Sequence, residues 1–77
     1  PSHDGGVDAI AFRTFLNQFL RSQKKDVRIM FIRRYWYGDS IRQIADAFGC
    51  GEEKVKSTLF RIRNKLRDAM IKEGIYL

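Results

Sequence analysis

Lys54, Lys56, Arg61, Arg63, Lys65 and Arg67 lie in one stretch of the chain that holds no Asp or Glu, and Ser57, Thr58, Phe60 and Asn64 are interleaved with them. Side chains of these types suit a polyanion, with ammonium and guanidinium groups for phosphates and short polar or aromatic groups for what lies between them. A solvated helix face can be equally basic, so the arrangement in space decides. On a helix each residue turns the side-chain direction by about 100°. Val55, Leu59, Ile62, Leu66 and Met70 then recur at spacings of four, three, four and four, forming one apolar stripe. Glu53, Ser57, Arg61, Asn64 and Asp68 fall opposite the stripe, with Lys54 and Lys65 flanking that face on one side. Phe60 flanks it on the other, about 120° from the middle of the stripe. Such a ring is either covered by another segment or offered to a partner.

Other reactive residue types carry less. Glu52 and Glu53 are adjacent carboxylates, but no nucleophile and base accompany them, and at a helix start they offset the positive end of the helix dipole. The chain is therefore not expected to be an enzyme. One His, His3, and one Cys, Cys50, cannot assemble a metal cluster, and no cofactor is expected. A lone cysteine forms no internal disulfide, which fits a cytoplasmic setting. No apolar run approaches the ~20 residues of a membrane span, and no signal-peptide pattern is present. Fifteen Lys and Arg against nine Asp and Glu leave a net charge of +6, much of it in the stretch just described.

These residues need a scaffold, and 77 positions allow one small domain. A chain this short buries only about 60–65% of its unfolded surface, so it must pack efficiently, which favours helices. It opens at Pro1 without an initiator Met, and residues 1–6 are expected to be a linker or leader ahead of a domain over residues 7–77. Pro1 is the only proline, so nothing interrupts helix further on. Ile10, Phe12, Phe15, Leu16, Phe19 and Leu20 mark a first amphipathic helix. Asp26 is placed to cap a second, in which Val27, Met30, Phe31, Ile32, Tyr35 and Trp36 give a broad apolar surface until Gly38 offers a left-handed stop. Trp36 is expected in the core, with Tyr37 open. Ser40 and Gln43 form the pattern of a capping box, and Ile41, Ile44, Ala45 and Phe48 give the stripe of a short third helix. Gly49, Cys50 and Gly51 break it, and a fourth helix runs from Glu52 or Glu53 to about Lys72, ended by Gly74.

A short helix, a tight glycine turn and a longer basic helix make up a helix-turn-helix unit. Ala45 is small where the two helices approach, Val55 and Leu59 face Ile41, Ile44 and Phe48, and the outward face of the second helix is free to enter a DNA major groove. Over roughly Phe12 to Gly74 the chain resembles region 4 of the sigma-70 family of bacterial RNA polymerase sigma factors, most closely the extracytoplasmic-function group. The segments that carry the likeness are "FIRRYWYGDSIRQIA" and "VKSTLFRIRNKL". The resemblance implies a small four-helix, all-α domain of the winged-helix-like DNA-binding superfamily, without a wing. It also implies reading of the −35 promoter element, docking on the flap of the polymerase β subunit, and a monomeric isolated domain that an anti-sigma factor can bind. Carried over by position, it assigns DNA contact to Lys54, Lys56, Ser57, Thr58, Phe60, Arg61, Asn64 and Lys65. Phe60 is matched to a thymine methyl or sugar and Arg61 to a base edge or phosphate. Ser40 and Arg42, at the start of the clamping helix, are matched to phosphates. Gly51 and Thr58 depart from the family pattern, which has Ser and Arg there. Two alternatives remain open at this point: a stand-alone or response-regulator (LuxR-type) helix-turn-helix module, and a protein-interaction domain whose basic face is only solvated.

Overall fold

The computed structural model describes the backbone of residues 2–75 and the side chains of residues 9–75. The described residues form four helices and no strand: α1 Ser2–Arg21, α2 Lys25–Tyr35, α3 Ile41–Phe48 and α4 Glu52–Lys72. The all-α expectation holds. Ile44, Val55, Leu59 and Ile62 are the most deeply buried large side chains, and Leu20, Met30 and Ala45 complete the centre of the core. Leu16 and Phe19 of α1, Val27, Phe31 and Ile32 of α2, and Ile41 and Phe48 of α3 pack around it. Every helix therefore contributes to one core, and the stripe on α4 is its axis.

The α3–α4 junction follows from local chemistry. Ser40 caps α3 by accepting from the Gln43 backbone N–H at 3.0 Å, while the Gln43 side chain accepts from the Ser40 N–H at 2.7 Å. At the other end Gly49 takes φ +63°, a conformation that L side chains rarely adopt. It donates to the Asp46 carbonyl and Cys50 donates to that of Ala45 at 3.0 Å, so two of the helix's orphan carbonyls are satisfied. Gly51 is the N-cap of α4 and, having no side chain, makes no capping bond.

Residues 2–6, expected to be a linker or leader ahead of the domain, have helical backbone continuous with α1, and two further details differ from the sequence reading. Proline stands only at position 1, and the cost of a helical glycine, about 1 kcal/mol, is small enough for Gly5 and Gly6 to continue a helix nucleated downstream. The side chains of residues 1–8, His3 included, lie outside the described residues, as do Tyr76 and Leu77. The N-cap of α2 is Lys24 rather than Asp26, which sits in the first turn, where a carboxylate favours the positive helix end. Finally, α2 stops at Tyr35, before Gly38. Trp36, expected in the core, is the C-cap and is 77% exposed. Once the helix ends, helical periodicity no longer sets the direction of the ring.

The link over 36–40 is fixed by charge and backbone together. Asp39 accepts from Arg33 Nε at 2.8 Å, its carbonyl accepts from Arg34 at 3.0 Å, and its N–H donates to the Arg33 carbonyl at 2.9 Å. Three bonds to adjacent arginines hold the entrance to α3 against the end of α2, so the capping box and the clamping helix start at a defined place.

Candidate nucleic-acid interface

The interface is built from α4 outward. Val55, Leu59 and Ile62 are essentially inaccessible, which fixes the rotation of the helix about its own axis. With that rotation set, Lys54, Lys56, Ser57, Arg61 and Lys65 are exposed. Phe60 is 58% exposed, so no other segment covers the ring. The ring is left out of the core, among cations, and is accessible to a partner. Asn64, also opposite the stripe, is half-buried.

Thr58 stands apart from the other residues assigned to DNA contact. It is only 8% exposed, so it is not part of the outward face. It lies about 70° from the middle of the apolar stripe, on the flank of α4 that borders the α1–α2 turn. A side chain so enclosed cannot reach the floor of a groove.

Lys56 pairs with Glu53 at 3.3 Å, but both are well exposed, and an exposed pair contributes about 0–1 kcal/mol, so phosphate can displace the carboxylate. Arg63, on the flank of α4 away from Lys65, donates to the Tyr35 hydroxyl at 2.6 Å and is tied to the end of α2. At the α3 N-terminus Ser40 and Arg42 are both exposed. Two of the donors there are already used inside the capping box, the N–H groups of Ser40 and Gln43. Those of Ile41 and Arg42 remain without an intrahelical acceptor, as does the Ser40 hydroxyl proton. The clamping helix thus offers donors to an anion beside the cations of α4.

Sequence reasoning missed two features. One is an open apolar groove of about 830 Å³ on the other side of α4, lined by Phe12, Leu16, Phe31, Tyr35, Trp36 and Tyr37, among others, with Arg13 and Arg63 at its edge. Trp36 and Tyr37 are the most exposed aromatic residues described. The ending of α2 at Tyr35 creates it, and that ending has no strong local signal. The second is a smaller polar cleft of about 350 Å³ between the α1–α2 turn and α4. Its walls are distant in sequence, so no motif marks it. No group of His, Cys, Asp and Glu among the described residues could hold a metal ion, and no helix is long and apolar enough to cross a membrane.

A short capped helix bracing a basic helix whose outer face is free defines a helix-turn-helix DNA-binding domain. Residues 24–66, more than half of the chain, match the family model described as Sigma-70, region 4. The chain belongs to the sigma-70 region 4 family, and its role is that of a DNA-binding, promoter-recognition domain of a sigma factor in transcription initiation. This is a DNA-binding regulatory family rather than a known enzyme family. No curated protein matches the chain.

Proposed function

We propose that the domain reads the −35 promoter element by inserting the outer face of α4 into the major groove. Lys56, Ser57, Phe60 and Arg61 face the bases and adjacent sugars, and Lys54, Asn64 and Lys65 lie along the backbone. The observation that carries this reading is the exposed Phe60 ring within a cationic helix face whose rotation a closed core fixes. Ser40 and Arg42 grip the neighbouring strand from the start of α3, with two free N–H groups behind them. Cations on both helices then fix the register, and the ring and Arg61 supply discrimination.

Binding and specificity are tested separately. Neutralising about four to six phosphates makes log K fall with log salt at a slope of roughly −4 to −5. A flat response in a salt titration would overturn DNA binding. Selection from a random duplex pool should enrich one short motif, and an unenriched pool would overturn base reading while leaving backbone binding in place.

The groove on the far side of α4 supports a second contact, with RNA polymerase core through the flap of the β subunit. Its exposed Trp36 and Tyr37 and its apolar lining suit a protein helix rather than a nucleic acid. An anti-sigma factor would compete for the same surface.

A further inference from the structure

The small cleft between the α1–α2 turn and α4 has a composition unlike the rest of the surface. Lys24, Arg61 and Lys65 line it together with Ser22, Gln23 and Thr58, and no carboxylate among the described residues does. Three cations around a volume of about 350 Å³, with no carboxylate among the lining residues, make the cleft electropositive.

Two independent features sharpen this. Lys24 is the N-cap of α2 and makes no side-chain capping bond, so its charge adds to the positive end of the helix dipole instead of opposing it. The first-turn N–H groups of an eleven-residue helix are left without a capping side chain. Asp26, in that same turn, does not line the cleft. The other feature is Thr58. The residue is more than nine-tenths buried and lines the cleft, and its hydroxyl, which is not itself sealed from the cleft, has no hydrogen-bond partner among the described residues. Ser22 and Gln23, by contrast, are already engaged, Ser22 donating to the Phe19 carbonyl at 2.6 Å and accepting from Gln23 at 3.1 Å. A hydroxyl that is accessible from a cationic cleft and makes no bond within the chain's described residues is placed to donate to an oxyanion.

Arg61 decides which oxyanion. It belongs both to the outer face of α4 and to the wall of the cleft, so the cleft is continuous with the nucleic-acid interface. We infer that Lys24, Thr58 and Lys65 hold one phosphate of the DNA backbone in this cleft, making the α1–α2 turn a clamp that sets how far α4 enters the groove. This rests on the promoter-DNA reading above. The contact carries no sequence information, and its loss lowers affinity equally for all duplexes.

The test uses the full chain with Lys24→Ala and Thr58→Val, titrated against the selected promoter duplex and an unrelated duplex over a range of salt. Expected for Lys24→Ala is the same loss on both duplexes and a salt slope shallower by about 0.9. Thr58→Val, which keeps the buried volume, should weaken both by about tenfold with no loss of melting temperature. Wild-type affinity and slope in both variants would overturn the clamp while leaving promoter reading intact. If wild-type protein itself binds no duplex, the parent reading fails first and the clamp with it. Amide shifts separate the two sources of phosphate. Shifts of residues 22–25 and Thr58 with duplex but not with inorganic phosphate support the clamp, and saturable shifts with inorganic phosphate alone would make the cleft a free-phosphate site instead.

Discussion

Phe60 shows how one side chain can be read from its position. Its direction follows from the helix period, and its exposure from the absence of any neighbour that covers it. Removing an exposed ring leaves the core untouched, so Phe60→Ala should melt within about 2 °C of wild type. Promoter binding should fall while binding to unrelated duplexes stays nearly constant. Calorimetry and a parallel titration check both halves, and a large drop in melting temperature with normal binding would return the ring to the core. Thr58 is buried although it lies off the apolar stripe, because the boundary between core and surface on a helix is set by what packs beside it. At about 70° from the stripe a residue is buried or free according to the neighbouring turn. Trp36 was misjudged because its periodicity was extended past the last helical residue.

Helix α3 and the start of α4 were the most legible parts of the chain. Their ends are set by contacts between residues at most five apart, and such contacts have sequence signatures: Ser with Gln three later, and Gly at a left-handed stop. Helix α2 was legible in its middle and not at its ends. Its N-cap is a lysine with no capping chemistry, and an apolar run continues beyond its C-terminus. The N-cap of α4 gives a direct test of this local logic. Gly51 has φ −79°, and a Cβ added there would meet nothing within 4 Å. Gly51→Ser should therefore place a hydroxyl over the first-turn N–H groups and stabilise the domain by a few tenths of a kcal/mol. For a domain of this size that amounts to about 2 °C in melting temperature. An unchanged or lower value would show that the backbone there does not admit the capping rotamer. Gly49 is the opposite case: space is open around it as well, but its φ of +63° makes any side chain strained.

Across the molecule the two surfaces meet α4 at different parts of its circumference: Lys54, Arg61 and Lys65 look away from the aromatic groove, and Phe60 lies about 60° around the helix from Arg63 at the groove's edge. Only the cationic surface was legible, because it is built mostly from one helix with one period. The groove draws on α1, α2, the 36–40 link and α4, and long-range assembly leaves no local pattern. Replacing both Trp36 and Tyr37 with Ala should leave DNA affinity unchanged within about twofold, since neither ring enters the core. Capture of polymerase core by the full chain should fall at least tenfold in the same variant. Normal capture would remove the groove from polymerase binding.

Helix α4 is also a partition. Its diameter with side chains is about 10–12 Å, whereas charges in physiological salt are felt over only about 8 Å. The charges of Lys54, Arg61 and Lys65 are thus largely screened from whatever fills the groove. The two occupants should bind with nearly independent free energies, so that a DNA-loaded domain and an empty one are equally attractive to the transcription machinery.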